Sequence, residues 1–286
     1  MSKRQKNISS DSIPKIVLFI AEILQKMSTS LTVKFAKKLF STPIKYKIPK
    51  RELEMDANSK QEFVFIPEIS KRIMVYEYGI GSKKALLVHG WSGRGTQLVK
   101  IADQLTAMGY TTISFDAPAH GKSPGSTTLM VEFIASILEL EKKYGKFDIA
   151  VGHSLGGMSV LNSIKKGLKL DKAVIVGSGD SINDILQDFV KKMNLKPNIA
   201  DLMRSSFEKT YQESMENYSG SNAAKEVNIP ILVIHDENDE DVPYTASVNI
   251  HKTLKNSELL LTKSLGHRKI LGNEDVILKI KNFIVN

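Results

Sequence analysis

Eight short apolar segments alternate with helical segments, and this pattern constrains the fold more than any other feature of the chain. They lie at 62–66, 72–78, 85–89, 111–116, 148–151, 173–177, 231–235 and 258–262. From the third onward they are continuous apolar runs, which are typical of strands buried on both faces of a sheet. Two strands followed by repeated strand–helix units predict one α/β domain, with a mostly parallel eight-stranded sheet flanked by helices.

The predicted helices alternate with these strands, and one connection is much longer than the rest. The helices are expected at 95–108, 127–144, 155–166, 244–254 and 273–284. Between the sixth and seventh strands about fifty residues replace a simple crossover, which needs about a dozen. Their apolar spacing predicts two or three helices, separated near Pro197. Ligands bind beyond the carboxyl ends of parallel strands, so we interpret this insertion, about 181–227, as a small lid.

The positive charge of the chain is concentrated at its N-terminus. The formal net charge is +9, but residues 1–51 hold twelve bases and two acids, so they carry +10 and the remainder carries −1. A nucleic-acid-binding domain would show basic residues clustered over a folded surface with groove-reading motifs beside them. The remainder shows neither, so no nucleic-acid partner is expected. We divide the chain into a basic amphipathic helical arm (1–51) and a domain (52–286).

Two amphipathic helices are predicted in the arm, at 13–27 and 31–40. The longest apolar run, 16–21, is far short of the ~20 residues that span a bilayer. Two interpretations stay open: the apolar side of the first helix packs on the domain, or residues 12–40 lie on an anionic membrane surface. Glu22 interrupts the apolar segment and no clear cleavage site follows, which argues against a signal peptide. We expect a cytoplasmic protein, at the inner face of a membrane under the second interpretation.

A Gly-His-Ser-Leu-Gly-Gly motif at 152–157 directly follows the predicted strand at 148–151 and opens a helix. Gly152 and Gly156 allow strand, turn and helix to approach closely, while Ser154 lies at the apex of the turn with its hydroxyl above the sheet. The bare G-x-S-x-G pattern is common, but its place between a strand and a helix predicts a serine nucleophile. The chain has no cysteine, so a thiol nucleophile is excluded.

A serine nucleophile needs a base and an acid that orients the base. His267 is the only plausible base late in the chain, immediately after the last predicted strand, whereas His251 lies in a lysine-rich helical pattern typical of a surface. The acid is expected after the seventh strand, in the loop 235–243. This loop contains five candidates, Asp236, Glu237, Asp239, Glu240 and Asp241.

Together these residues resemble the α/β-hydrolase family over about 62–286. The resemblance implies a nucleophile elbow around Ser154, then an acid after the seventh strand, then a histidine after the eighth. The loop after the seventh strand is similar to the family's H-G-x-x-D-x-x-V-P pattern, which makes Asp239 the acid. Asp236 stands in place of the usual glycine. The other acids of the loop are then expected to be solvated surface charges.

The resemblance also implies an oxyanion hole built from two backbone N–H groups. The segment 89–91 after the third strand fits the family's oxyanion loop, so the donors are expected to be Trp91 and Leu155, each worth about 2.7–4 kcal/mol in the transition state. The residues expected to support these loops are His89, Gly90, Gly152, His153 and Gly156. The segment 116–123 is similar to the family's loop after the fourth strand, so His120 is not expected to be a second base.

The resemblance implies acyl chemistry that needs no metal and no organic cofactor. Ser154 would attack an acyl carbonyl, His267 would accept its proton, and Asp239 would orient the imidazole. The Trp91 ring would either wall the acyl pocket or pack in the core. We predict a carboxylesterase acting on small to medium acyl esters. Because the fold does not choose among esters, thioesters and amides, the alternatives are a membrane-associated lipase or thioesterase, an acyltransferase, and a non-catalytic binding protein.

Overall fold

One eight-stranded sheet forms the centre of the computed structural model, which describes residues 13–286. The strands are β1 (Lys60–Ile66), β2 (Lys71–Tyr78), β3 (Lys83–Val88), β4 (Tyr110–Asp116), β5 (Ile149–His153), β6 (Lys172–Val176), β7 (Ile231–Asp236) and β8 (Ser257–Thr262). Their order in the sheet is β1-β2-β4-β3-β5-β6-β7-β8. Strand β2 pairs antiparallel with β1 and β4, and the other pairs are parallel. The predicted mostly parallel α/β fold is confirmed.

Twelve α-helices lie within residues 13–286. They are α1 (Lys15–Met27), α2 (Thr29–Phe40), α3 (Leu53–Asn58), α4 (Val99–Ala107), α5 (Met130–Tyr144), α6 (Leu155–Lys165), α7 (Ile182–Lys192), α8 (Asn198–Tyr211), α9 (Gly220–Ala224), α10 (Thr245–Thr253), α11 (Gly266–Lys269) and α12 (Glu274–Val285). The short helix α3 was not predicted. Helix α4 begins four residues later than the predicted start at residue 95, because the N–H of Gly95 donates to the Asp116 carboxylate at 2.7 Å and holds this stretch as a turn.

The central strands are buried on both faces, as continuous apolar runs require. Successive residues of a strand point to opposite faces, so β3 contributes to two separate cores. Leu86 and Val88 pack in the core that contains Phe133 of α5, whereas Leu87 packs in the core that contains Leu105 of α4. Helices on both faces therefore fix the sheet, and the carboxyl ends of its parallel strands are left to carry loops.

The chain divides into two compact units. One consists of Ser41–Ile182 and Glu216–Asn286 and contains the whole sheet. The other, which we call the helical unit, contains the described residues up to Phe40 together with Asn183–Met215. The N-terminal arm and the insertion after β6 therefore share a unit although they are far apart in sequence.

Packing between α2 and the inserted helices holds the helical unit together. The Phe40 ring lies 5.2 Å from the ring of Phe189 and 6.1 Å from that of Phe207. The Nζ of Lys37 donates to the hydroxyl of Ser206 at 2.5 Å and lies 4.5 Å from the centre of the Phe207 ring. The break predicted near residue 197 separates α7 from α8.

The two helices predicted in the arm are present as α1 and α2, with Pro14 directly before the first. Ser12, the first residue of the predicted membrane-contact segment, lies outside the described residues. In residues 13–286, no helix combines the length and the apolar character needed to cross a membrane.

Candidate active site

Ser154 occupies a strained turn between β5 and α6. Its backbone has φ 55° and ψ −121°, which non-glycine residues seldom adopt. Glycines make the turn possible: a Cβ at Gly152 would lie 2.5 Å from the Gly156 carbonyl oxygen, and one at Gly156 would lie 2.3 Å from the Val88 carbonyl oxygen. Leu155 is the first residue of α6, so its N–H has no partner within the helix and is available to a ligand.

His267 and Asp239 form a hydrogen-bonded pair at the carboxyl end of the sheet. The Nδ1 of His267 lies 2.7 Å from Oδ2 of Asp239, and their side chains are 10% and 1% exposed. His267 follows β8 and lies in the short helix α11, while Asp239 lies in the loop after β7. Nδ1–H donates to the carboxylate in this arrangement, so Nε2 keeps its lone pair and can act as a base.

In addition to His267, other donors hold the Asp239 carboxylate. Oδ1 accepts the N–H groups of Asp241 at 2.8 Å and Val242 at 2.9 Å. Oδ2 also lies 3.2 Å from Nε2 of His235, a fully buried side chain. Burial on its own would raise the pKa of Asp239, but the hydrogen bonds from His235 and His267 outweigh it and hold the pKa well below its usual range. The carboxylate is therefore ionised at neutral pH.

His153 links the turn that carries Ser154 to the segment that carries His267. Its Nε2–H donates to the backbone carbonyl of His267 at 2.9 Å, and the two rings lie 4.6 Å apart. Burial, together with a smaller contribution from the neighbouring His267, lowers the pKa of His153 to about 3. The imidazole is neutral at neutral pH, so a positive charge that develops on His267 faces no second charge here.

The loop after β3 lies against the nucleophile turn. A Cβ at Gly90 would lie 2.9 Å from Cβ of Ser154, so only glycine fits at this approach. The N–H of Gly90 donates to the side-chain carbonyl of Gln97 at 3.1 Å. His89 donates from Nδ1 to the Gly90 carbonyl at 2.6 Å and accepts the N–H of Ala117 at Nε2, at 3.0 Å. These contacts fix the segment expected to form one side of the oxyanion hole.

His120 is buried and hydrogen-bonded within the loops. Its Nε2 accepts the N–H of Ser92 at 3.0 Å, and its Nδ1 donates to the carbonyl of Pro118 at 3.1 Å. Burial lowers its pKa to about 4. The ring of Trp91, which is half-buried, packs edge-on against it at 5.4 Å. His120 therefore braces the loop after β3, with both of its ring nitrogens hydrogen-bonded to the backbone.

The prediction that Asp236 is a solvated loop charge is wrong. Its side chain is fully buried, and its carboxylate accepts Asn238 N–H at 3.0 Å, Thr262 Oγ1–H at 2.8 Å and Leu265 N–H at 3.0 Å. Burial alone would raise the pKa of Asp236, but the hydrogen bond from the N–H of Gly266, together with the three just described, outweighs burial and lowers it. Asp236 thus ties the loop of the acid to the segment that leads into His267. The sequence carried one signal of this role, an acid where the family pattern has glycine.

Of the remaining candidates, Asp241 takes part in this arrangement through its backbone N–H, whereas Glu237, Glu240 and His251 lie outside it. Glu237 and Glu240 are exposed, as expected for solvated acids. Asp241 is half-buried and contributes its N–H to Asp239. His251 lies in α10, where its Nδ1 is 2.8 Å from the Ser257 hydroxyl.

Among the described residues, one cluster could offer three ligand atoms to a metal ion. The ligand atoms of Asp239, Asp241 and His267 lie within 4.8 Å of one another. Asp239 and His267 are joined by a direct hydrogen bond, so an ion bound between those atoms would have to replace the Nδ1 proton. The arrangement as it stands is that of an acid–base pair.

Comparison with known proteins identifies the family of this chain. The model of the alpha/beta hydrolase family matches residues 85–254, more than half of the chain. The chain belongs to the α/β-hydrolase family. No curated protein matches the sequence. Membership of the family supports a hydrolase activity, and the order elbow, acid, histidine follows the family's pattern.

Three solved structures illustrate the likeness. An esterase from Exiguobacterium antarcticum is 15% identical, with a TM-score of 0.63 over 79% of this chain and 100% of that chain. A bromoperoxidase from Bacillus anthracis is 19% identical, with a TM-score of 0.61 over 79% and 100%. Est1E from Butyrivibrio proteoclasticus, with ferulic acid bound, is 18% identical, with a TM-score of 0.60 over 79% and 100%. At these identities the likeness shows the α/β-hydrolase fold alone.

Proposed function

We propose that this α/β-hydrolase cleaves carboxylic esters through an acyl-enzyme on Ser154. The observation that carries the proposal is the 2.7 Å hydrogen bond between His267 and Asp239, in a segment that His153 joins to the nucleophile turn. An ionised acid, a base with a free Nε2 and a serine on a strained turn are the parts that serine acyl transfer requires.

In the first half of the reaction the serine is acylated. The Oγ of Ser154 attacks the ester carbonyl carbon while its proton passes to Nε2 of His267. The electron pair of the carbonyl moves onto oxygen and gives a tetrahedral oxyanion. When this intermediate collapses, the bond to the alcohol oxygen breaks and the alcohol leaves with the proton from His267.

The oxyanion needs donors that are already in position. The N–H of Leu155 points from the start of α6, where no intrahelical partner competes for it. The backbone of Trp91 follows Gly90, which lies against Ser154. We assign these two N–H groups to the oxyanion hole, where removing one donor typically costs about 10²–10³ in rate.

In the second half water takes the place of the alcohol. The free Nε2 of His267 accepts a proton from water as its oxygen attacks the acyl carbon, and the proton then returns to Oγ of Ser154 when the ester bond breaks. Asp239 stays ionised throughout and stabilises the imidazolium. The neutral His153 ring beside His267 adds no opposing charge.

The substrate class that we propose is a small to medium acyl ester. The esterase among the similar structures supports an ester as substrate, and the serine at the elbow supports a covalent acyl intermediate. Neither an organic cofactor nor a metal ion takes part in the reaction that we propose.

The test is hydrolysis of p-nitrophenyl esters over a series of acyl chain lengths. Ser154→Ala should lower kcat by about 10⁶, because it removes the nucleophile. Asp239→Asn should lower kcat by about 10⁴, because the amide no longer holds the imidazole in the required tautomer. The matched control is His251→Gln, which should keep kcat within about threefold.

Labelling with a fluorophosphonate gives an independent reading of the nucleophile. The wild-type protein should be labelled at Ser154, and Ser154→Ala should not be labelled. A folded wild-type protein that neither hydrolyses esters nor reacts with the probe would overturn the proposal. Labelling without ester hydrolysis would keep the nucleophile and reject the ester substrate.

A further inference from the structure

The outer side of α1 is apolar and faces solvent. Its five large side chains form what we call the apolar stripe, Ile16, Phe19, Ile20, Ile23 and Met27. Their exposed fractions are 63%, 58%, 39%, 41% and 72%. The spacing three, one, three and four places all five within about a third of the helix circumference. The stripe is therefore a continuous strip of apolar surface and not a set of scattered side chains.

The opposite side of α1 is the one that packs. Ala21 is fully buried, and the side chain of Gln25 accepts the backbone N–H of Lys196 at 2.5 Å. The side of α1 that carries Ala21 and Gln25 thus packs within the helical unit, and the large apolar side chains of α1 face solvent. Continuous exposed apolar surface of this kind marks an interaction site in a folded protein.

Basic residues accompany the stripe. Lys15, Lys26 and Lys34 are exposed on α1 and α2, and Glu22 is the only acid in these two helices. Lys26 forms an ion pair with Glu22 at 2.6 Å. Residues 1–51 as a whole carry +10. A partner that binds the stripe is therefore expected to combine an apolar surface with negative charge.

We infer that the apolar stripe docks this protein on the surface of a membrane that contains anionic lipids. A helix of this kind lies in the plane of the interface with its apolar side about 5–10 Å deep in the headgroup and acyl boundary, while its lysines contact lipid phosphates. Helix α1 has thirteen residues, a length that suits this position and not a span.

The charge argues against a second copy of the chain as the occupant. A two-fold contact through the stripe would bring two strongly basic arms together, and like charges at such an interface oppose association. An anionic bilayer has the opposite sign and supplies apolar matter at the depth that the stripe can reach.

The experiment is flotation of the full-length protein with vesicles. One set is phosphatidylcholine alone, and the other is an equimolar mixture of phosphatidylcholine and phosphatidylglycerol. The wild-type protein should float with the mixed vesicles and not with the neutral ones, and high salt should weaken the binding. Ser154→Ala should bind like the wild-type protein, so the result does not depend on the proposed ester hydrolysis.

The decisive variant replaces three side chains of the stripe, Ile16→Ser with Phe19→Ser and Ile23→Ser. Its partition onto mixed vesicles should fall by about tenfold or more, because buried apolar side chains each contribute strongly to transfer from water. The matched control, Ile80→Ser with Leu278→Ser, removes exposed apolar side chains of the sheet-containing unit and should bind like the wild-type protein.

Three outcomes would overturn the inference: no binding to mixed vesicles, equal binding of the triple variant and the wild-type protein, or a wild-type dimer that the triple variant converts to a monomer in sedimentation. If circular dichroism shows that the triple variant is unfolded, Lys15→Glu with Lys34→Glu replaces it. The same tenfold fall is expected for that pair, since attraction to the anionic lipids is reduced.

Discussion

The loops at the carboxyl end of the sheet bury polar side chains, whereas the outer side of α1 exposes apolar ones. In the loops, His89, His120 and Asp236 are buried polar side chains with hydrogen-bond partners. On α1, apolar side chains such as Phe19 and Met27 are exposed. Buried polar groups must be paired, whereas exposed apolar groups cost the folded chain little by themselves. Changes in the loops should therefore affect stability and rate, and changes on α1 should affect only association.

The largest effect on stability is expected at the close approach below Ser154. Gly156→Ala places a Cβ 2.3 Å from the Val88 carbonyl oxygen. The overpacking should lower the free energy of unfolding by about 3 kcal/mol, or prevent folding. Urea denaturation measures it, with Gly272→Ala as the control, because a Cβ there meets nothing nearer than 3.9 Å. Equal stability of the two variants would contradict the described packing of the turn.

Acid should destabilise the protein through its buried neutral histidines. The pKa values of His120 and His153 are lowered to about 4 and about 3, whereas an unfolded histidine has a pKa of about 6.5. Below pH ~6.5 the unfolded chain binds protons that the folded chain does not. The contribution of these neutral histidines to the free energy of unfolding is therefore fully present above pH ~6.5. As the pH falls toward its folded pKa, each histidine lowers the free energy of unfolding by up to about 1.4 kcal/mol per pH unit.

Urea denaturation at a series of pH values between about 7 and 5 measures this loss. His120→Gln should give a shallower dependence of the unfolding free energy on pH. A slope that His120→Gln does not alter would show that this imidazole is not held neutral.

A smaller effect on rate is expected at Asp236. Asp236→Gly installs the residue that the family pattern has, but removes the acceptor for Thr262 and Leu265. The segment leading to His267 should then be less well positioned, so kcat on p-nitrophenyl esters should fall by about tenfold with KM little changed. Asp236→Asn, which keeps one acceptor oxygen, should recover part of the loss. A variant that loses only stability, with kcat unchanged, would limit Asp236 to folding.

The smallest effect is expected on the apolar stripe. Phe19→Ser should change the free energy of unfolding by less than about 0.5 kcal/mol, since the side chain is 58% exposed. Phe207→Ala, in the same helical unit, removes a buried ring that contacts Phe40 and should cost about 3 kcal/mol. Thermal unfolding of both variants tests the contrast. A strongly destabilised Phe19→Ser variant would mean that the stripe packs within the fold.

Local patterns were sufficient for the sheet and for the turn that carries Ser154. Continuous apolar runs and a G-x-S-x-G motif between strand and helix are signals within a few residues, and the structure contains all eight strands and the elbow. The position of His267 after the last predicted strand indicated the base, and the resemblance to the family's loop pattern selected Asp239 among five acids. The structure joins these two residues by a hydrogen bond. Their catalytic roles stay predictions.

Partners that come from distant parts of the chain could not be predicted in this way. Asp236 resembled a solvated charge because its acceptor role depends on Thr262 and Leu265, which belong to a later strand and loop. The contact of His235 with Asp239 depends on how the loop folds back. The periodicity of α1 identified an apolar stripe, but periodicity does not say whether such a stripe faces a core or solvent.

The helical unit is assembled from two stretches that the ribosome produces at different times. Helices α1 and α2 leave the ribosome before any residue of Asn183–Met215 exists. At a synthesis rate of about 5–20 residues per second, the intervening chain takes roughly seven to thirty seconds to appear. During that interval Phe40 lacks the rings of Phe189 and Phe207. Helices α1 and α2 are therefore first present as an amphipathic nascent segment. The helical unit is completed only after the turn that carries Ser154 has been synthesised.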